Sequence, residues 1–555
     1  MDKKKILLPM LALLFVVVSC KKNLVEYNND PGKATAEEIQ FDNIAAGSKI
    51  TQMQTSFFAT ASNTGSLPFQ VGLNLAGDIF SGQQAPSNVF NNGGSNNSTY
   101  NMTPAWYNVF FAFAFQNNMA PWYGIKDVSP ATSPAYALAQ ILKVYGMSRV
   151  TDMYGPLPYL TFVPGNLSYT YDSQKDIYTS FFSDLNGAIA ILTDYVDRNP
   201  GAAPAFTKTD NSSWDLIYGD KTDEYRYWIK FANSLKLRLA MRVVYTNTTF
   251  NSFSAQQLAE QAVASKYGVM TATDDNALIR PNGVTNSNFL FTTCYSYNDT
   301  RMSANMESFL KGYNDPRAQS LFTQVAIGNT GADYHGVRSG IANPVGYRGF
   351  SQMRVALTTP IQVLTAAETY FLRAEGALRG WNMAGSAQSL YESGIQMAFV
   401  QSGASGDVTS YIQGTTRPAA YVDPINSANS IALGNANLST VTVRWNNGAS
   451  DFETNLERII TQKWLALYPD GQEAWSEYRR TGYPKVFPVM INNSAGLVST
   501  QTQVRRIPFP STEYQVNANN VRQAVTLLTA ESSGAAQSPG DNAGTKLWWD
   551  KNPRH

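Results

Sequence analysis

The chain has 555 residues, 43% hydrophobic and 15% charged, with a formal net charge of +1. That length fills one large domain or a few small ones, and so balanced a charge offers no broad field to attract nucleic acid. Two histidines, one of them the last residue, leave no inventory for a catalytic triad or a His-based metal site. The chain carries 28 Phe, 30 Tyr and 10 Trp. Such rings offer a flat apolar face and, in Tyr and Trp, a polar tip; they suit amphipathic ligands such as sugars and equally fill a large core.

The N-terminus sets the compartment. Lys3, Lys4 and Lys5 precede an apolar run, Ile6 to Val18, too short to span a bilayer and of the right length for a signal peptide. It ends at Val17-Val18-Ser19-Cys20, which resembles a lipobox. Residues 1–19 are therefore expected to be a lipoprotein signal peptide, with Cys20 lipidated and residues 20–34 a polar tether. Several acyl chains on Cys20 hold firmly, because each buried CH₂ contributes roughly 0.8 kcal/mol. With Cys20 committed, Cys294 is alone in the mature chain, which excludes an intramolecular disulfide. A small buried apolar role is its expected one.

Residues 35–555 read as one domain. Thr35 to Thr60 has a helical pattern, with Thr35 and Glu38 spaced as a capping box. Residues 61–104, rich in Asn, Gly and Ser, read as a long loop. Helices are then predicted in pairs: 134–149 with 172–193, 228–244 with 254–265, 360–378 with 386–400, and 451–467 with 471–480. Ile177, Phe181, Leu185, Ala188 and Leu192 make one apolar stripe. Trp228, Ala232, Leu235, Leu239 and Val243 make another. Ala387, Tyr391 and Gly394 fit the small–aromatic–small pattern of a tetratricopeptide helix. Four such hairpins could stack, each burying its apolar face on the next. The segments 61–104, 200–222, 268–350, 403–450 and 485–505 read as long polar insertions. Loops of that length in a compact domain are functional or disordered, and their many aromatics argue against disorder. The expected fold class is mainly α: four helix pairs as a scaffold under a loop-built face.

Four segments carry a family resemblance. They are Thr151-Asp152-Met153-Tyr154-Gly155-Pro156-Leu157-Pro158-Tyr159; the helix from Trp228 through Arg238 to Arg242; Ala366-Ala367-Glu368 through Glu375-Gly376-Ala377; and Arg458 through Lys463-Trp464, continued by Glu473-Ala474-Trp475-Ser476-Glu477-Tyr478-Arg479-Arg480. Tyr313-Asn314-Asp315-Pro316-Arg317 and Trp548-Trp549 add to them. In this order along most of the chain, they resemble the SusD/RagB family of nutrient-binding lipoproteins. The resemblance implies a SusD-like fold with four tetratricopeptide-like units and a lipid anchor in the outer membrane, facing the cell exterior. It also implies a SusC-like, TonB-dependent β-barrel as partner and a nutrient as ligand, most often an oligosaccharide and sometimes a peptide. It implies no cofactor and no metal.

The signature residues themselves read as scaffold. Tyr154-Gly155-Pro156 with Pro158 is a rigid turn after a helix. Arg238 and Arg242, one helical turn apart, are expected to bridge helices by pairing with acids such as Glu375 or Glu457. Ligand contacts are expected in the loops, where rings stack on sugar faces and amide, carboxylate and guanidinium groups bond hydroxyls. The candidates form three clusters: Asn74, Asp78, Gln83, Trp106, Tyr107, Trp122 and Tyr123; Tyr295, Tyr297, Asn298 and Asp299; and Asn343, Tyr347, Arg348 and Arg354. No pair of carboxylates stands out as the acid and base of a glycosidase, and Asp274-Asp275-Asn276 reads as a turn rather than a Ca²⁺ loop. Besides glycan capture, the open readings are a peptide-binding member of the same family, a surface glycoside hydrolase, and a structural repeat lipoprotein that binds another protein.

Overall fold

A computed structural model describes residues 43–56, 66–90, 96–166, 168–201, 212–283, 286–329, 331–446, 452–532 and 540–554, with Phe206 and Lys208. The signal peptide, Cys20, the tether and the Thr35–Glu38 cap lie outside the described residues.

The elements that organise the chain are mostly helices. They are α1 (Ile44–Thr55), α2 (Ser66–Phe69 running into π-helical Gln70–Asp78), α3 (Pro104–Ala114), α4 (Ala120–Val128), α5 (Pro134–Tyr154), α6 (Gln174–Arg198), α7 (Glu224–Arg242) and α8 (Ala255–Val263). There follow α9 (Ala304–Gly312), α10 (Ala366–Leu378), α11 (Ala387–Ser402), α12 (Phe452–Leu467), α13 (Gly471–Thr481) and α14 (Ala518–Glu531). Two short antiparallel ribbons complete the set: β1 (Gln84–Pro86) with β3 (Thr300–Met302), and β2 (Ala277–Ile279) with β4 (Ile361–Leu364).

The four predicted pairs form: α5 packs on α6, α7 on α8, α10 on α11 and α12 on α13. They stack in series, α6 on α7, α7 on α10 and α10 on α12. Both apolar stripes face inward and all their residues are buried, at roughly 1.5–3 kcal/mol for each large aliphatic or aromatic side chain removed from water. Capping follows the sequence: Ser133, Ser173, Ser254 and Ser386 each accept a backbone N–H of the first turn. Gly394 shows why a small residue is needed in α11. A Cβ there would lie 2.8 Å from the Phe371 ring of α10, so a larger side chain would pry the hairpin apart. At the end of α5, Gly155 has φ 91°, a conformation that ends the helix and turns the chain toward Leu157.

Three expectations need correction. Within 61–104, read as loop, residues 66–78 form α2. Its apolar residues Leu67, Phe69, Val71, Leu73 and Leu75 recur at every second position, so no helical stripe shows. Val71 through Asp78 are buried on every side, and burial all round needs no stripe. Within 268–350, also read as loop, Ser303 caps α9 and the chain supplies β2 and β3. The segment 360–378, read as one helix, is strand β4 followed by α10; Thr365 caps the helix and so marks the switch.

At the centre lies a buried ionic cluster. Arg238 pairs with Glu368 at 2.5 Å, and Arg242 with Asp152, Glu473 and Glu477. Arg480 pairs with Glu375 and Glu477, Arg379 with Glu375, and Lys463 lies 3.1 Å from Glu477. The arginines do bridge helices, but not to the acids named above: Glu375 is taken by Arg480 and Arg379, and Glu457 accepts from Ser439. Among these residues five cations face five carboxylates, so the desolvated charges cancel locally. The C-terminal segment locks onto the same cluster. The Trp549 indole donates to Asp152 at 2.7 Å, and Arg505 clasps Asp550. One hydrophobic core runs through all of this, from Ala46 to Trp549.

Candidate functional site

The second candidate cluster meets Arg348 of the third on one face, with Arg354 beside Tyr295. The β1–β3 ribbon does this. Ser87 N–H bonds the Asp299 carbonyl at 2.9 Å, and its hydroxyl the Asn298 carbonyl at 2.7 Å. Asn298 adopts φ 55°, as Asn tolerates in tight turns, and its Oδ1 accepts from Arg301 at 2.7 Å. Arg301 also bonds the Arg348 carbonyl at 2.9 Å, and the Arg348 guanidinium reaches Asn88 Oδ1 at 2.6 Å. Asn88 in turn donates to the Tyr297 carbonyl and to Asp299. The Tyr297 ring, 45% exposed, stands on this network with its edge against Phe289. Tyr295 stacks on Phe291 at 5.0 Å and donates its hydroxyl to the Met353 carbonyl at 2.7 Å, which sets Arg354 beside it. Arg348 and Arg354 are exposed, and Asn88, Tyr295 and Tyr334 are half-buried. The face thus offers rings, amides and two cations held from below.

From the first cluster, Asn74 and Asp78 join this assembly from beneath. Gln70 of α2 donates to Asp299 at 2.6 Å. Asn74 donates to Asp78 at 2.9 Å, and Gln84 of β1 links the pair to Thr300 of β3. Asp78 also accepts from the Gly471 N–H at 3.1 Å. That approach requires glycine on both sides: a Cβ on Gly77 would lie 2.7 Å from the Gln472 backbone, and one on Gly471 would lie 2.3 Å from Asp78. Burial, then the nearby Asp470 charge, raise the Asp78 carboxyl to about 8 against the hydrogen bonds it receives. Burial likewise raises Asp299, opposed by Gln70 and Asn88.

The remaining candidates sit elsewhere. Trp106 packs edge-on to Phe90, next to the face. Tyr107 is buried, and its carbonyl accepts the Tyr154 hydroxyl. Trp122 donates to Gln140 under the Lys143 ammonium, and Tyr123 packs against Trp122. Gln83 bonds the Trp464 carbonyl in the core. Tyr347 is buried on Asp423, and Asn343 precedes a 3₁₀ turn. Cys294 is buried as expected, and burial pushes its thiol up to about 11. Asp274 pairs with Lys221 and Asp275 with Lys230, in a 3₁₀ turn.

Sequence reading missed Asn88 and Arg301, whose role comes only from contacts around the β1–β3 ribbon. It also missed a cavity of about 400 Å³ that Asp78 and Arg354 share with Arg149, Tyr468, Asp470 and Gln472. Those residues come from four separate stretches of the chain, so no local pattern could announce them.

A family model described as "SusD-like: Susd and RagB outer membrane lipoprotein" matches residues 26–550. The chain belongs to the SusD-like family. Its helix-pair scaffold is the SusD-like fold, and it is an outer-membrane lipoprotein of a nutrient-binding kind. Among solved structures it is similar to a chitin-binding SusD homolog from Flavobacterium johnsoniae, 40% identical with a TM-score of 0.81, over 92% of this chain and 99% of that one. It is similar to SusD homologs from Bacteroides ovatus (34%, TM-score 0.81, 92% and 99%) and Bacteroides thetaiotaomicron (35%, TM-score 0.79, 91% and 99%). No curated protein matches the chain. No helix among the described residues is long and apolar enough to cross a membrane.

Proposed function

We propose that this SusD-like lipoprotein captures an oligosaccharide on the Tyr297 face and hands it to a SusC-like, TonB-dependent barrel. The observation that carries this reading is the exposed Tyr297 ring on a network in which Asn88 joins the Tyr297 carbonyl to the exposed Arg348. A ring stacks on the apolar face of a pyranose while amides and guanidinia bond its hydroxyls. Tyr295 and Asn298 support the same surface, and Asn74 and Asp78 hold it from below. The chitin-binding relative favours a chain of N-acetylhexosamine units as the first ligand to try. Binding rather than turnover is the proposed activity. Cys20 carries the lipid, residues 20–34 form the tether, and the face looks outward from the cell.

The test uses protein lacking residues 1–20 against a panel of chito-, xylo- and malto-oligosaccharides and peptides, each recovered and checked for cleavage. Saturable binding of an intact glycan, lost in Tyr297→Ala, is expected. Cleaved ligand would replace this reading with an enzyme, and peptide binding alone would change the nutrient class. Deleting the partner barrel should abolish glycan uptake in cells; undiminished uptake would remove the hand-over.

A further inference from the structure

Around Tyr297 the face gathers positive charge that the protein does not offset. Arg348 and Arg354 are exposed, and Arg301 is buried, bonding both ends of the stretch from Cys294 to Asn298. Arg348 spends Nη2 on Asn88 Oδ1 at 2.6 Å, and Arg354 spends Nε on the Phe322 carbonyl at 2.9 Å. The Arg301 guanidinium gives its hydrogen bonds to neutral oxygens: the Arg348, Cys294 and Thr300 carbonyls and Asn298 Oδ1. Among the described residues none of the three has a carboxylate within ion-pair distance.

The acid in this network does not answer that charge. Asp299 is buried, accepts from Gln70 at 2.6 Å and from Asn88 at 3.4 Å, and has its carboxyl raised by burial. The three cations act on one place. The charges of Arg354 and Arg301 both reach the Tyr295 hydroxyl. Burial first, and the Arg348 charge with it, lower the Arg301 guanidinium against the pull of Cys294. Over the whole chain 42 basic residues stand against 41 acidic ones, so the excess is local. Elsewhere the fold matches its arginines, as Arg238 with Glu368 and Arg242 with Asp152. Cations set side by side repel one another, and a surface of one sign draws the opposite charge to it. Arg348 keeps Nε and Nη1 unspent, and Arg354 keeps both Nη atoms. A guanidinium fork of that kind takes a carboxylate or a tetrahedral oxyanion through paired N–H groups.

We propose that the oligosaccharide taken by the Tyr297 face is an anionic one, with a uronate carboxylate or a sulfate ester engaged by Arg348 and Arg354 while a sugar ring stacks on Tyr297. That the ligand is a glycan rests on the proposed function; that it is charged rests on the arginines. A uronate and a sulfate ester offer the guanidinia the same chemistry, oxygens that share one negative charge. A neutral chito-oligosaccharide would use the ring and the amides and leave the cations to water.

The experiment uses protein lacking residues 1–20 and calorimetry on matched pairs that differ in charge: oligogalacturonate against its methyl ester, and O-sulfated chito-oligosaccharide against the unmodified chain. Polyglutamate serves as a polyanion that is no sugar. In one pair the charged glycan should bind about tenfold tighter than its neutral twin at low ionic strength, as one charge-assisted hydrogen bond provides. The gap should narrow at about 0.5 M salt, and the pair that shows it names the anion. Arg354→Gln should close most of the gap and keep the unfolding midpoint of the parent, because the side chain is exposed. Arg348→Gln should close it likewise, and Arg354→Lys, which keeps the charge without the fork, should retain part of it. Charged and neutral twins bound alike, or a gap that neither arginine variant alters, would overturn the anionic ligand and leave glycan capture standing. Polyglutamate bound as tightly as the charged glycan would overturn it too, as attraction for any polyanion. Binding of no glycan, charged or neutral, would overturn both this inference and the proposed function.

Discussion

Two buried regions of this molecule are rich in charge, and they are finished differently. In the ionic cluster between α5, α7, α10, α12 and α13, each of Asp152, Glu368, Glu375, Glu473 and Glu477 has a cation within contact. At the Arg149–Asp470 pair the charges are matched as well, yet Arg149 Nε, the Tyr468 hydroxyl and Gln472 Oε1 have no hydrogen-bond partner among the described residues. Burial and charge alone therefore do not distinguish scaffold from site. Nor does an unpaired polar atom alone, because Lys463 Nζ within the cluster also lacks a hydrogen-bond partner among the described residues.

The largest effect should come from breaking the complete region. Arg242→Met leaves Asp152, Glu473 and Glu477 short of one cation at a place where water cannot reach. Removing one partner of a buried ion pair costs about 3–5 kcal/mol. Denaturant unfolding should show that loss, or the variant should fail to accumulate as folded protein. A variant as stable as the parent would mean that the cluster is not what joins the helix pairs.

The cavity side of the comparison is sharpened by pH. Asp78 is raised to about 8 in the folded chain by burial and by Asp470, against an ordinary value of 3.8. Below pH 4 the carboxyl is protonated folded or unfolded, and it costs nothing. As pH rises from 4 to 8 the unfolded chain ionises it while the folded chain does not, so folding loses stability; above 8 the loss is constant. Relative to Asp78→Asn, the parent should lose stability steadily across that window. Equal slopes of stability against pH in the two proteins would show that Asp78 is ionised in the folded state.

What was legible in the sequence follows the same division. Among the helix pairs, α6 was legible because it buries one face and exposes the other, which prints a 3.6-residue period; α7 is buried nearly all round and was legible because its large apolar residues still fall at helical spacing. The helix α2 was not, because its apolar residues fall at every second position. The strand β4 was absorbed into a helix because four residues carry too little period to separate from the apolar run that follows. The ionic cluster was half legible: Arg238 and Arg242 stood out as bridging residues, but their partners are set by how α7 meets α5, α10 and α13, which no local pattern records. On the face, Tyr297, Asn298, Arg348 and Arg354 were found through composition, as aromatics and polar residues in loops. Composition also chose Trp122 and Tyr123, whose surroundings are helix packing. The cavity was invisible, since Arg149 and Asp470 stand 321 positions apart.

Between face and interior the expected change is moderate. Tyr297→Ala removes an exposed ring and should cost glycan binding about 1–2 kcal/mol, roughly tenfold in Kd, with unfolding unchanged within about 0.5 kcal/mol. The pairing of lost affinity with kept stability is the signature of a surface contact. Lost stability would assign Tyr297 to packing against Phe289 instead.

The smallest expected effect tests whether position or residue type defines the face. Tyr123 is an aromatic beside Trp122 and a lysine, Lys126 lying 5.3 Å from its ring, and by composition alone it is as good a sugar platform as Tyr297. It rises from α4, which packs on α1 and α5 rather than on the β1–β3 ribbon, and neither its ring nor its neighbours join the network around Asn88 and Arg348. Tyr123→Ala should therefore leave oligosaccharide affinity within about twofold. A tenfold loss would mean that the glycan path crosses α4, and that the ribbon-built face is one end of a longer surface.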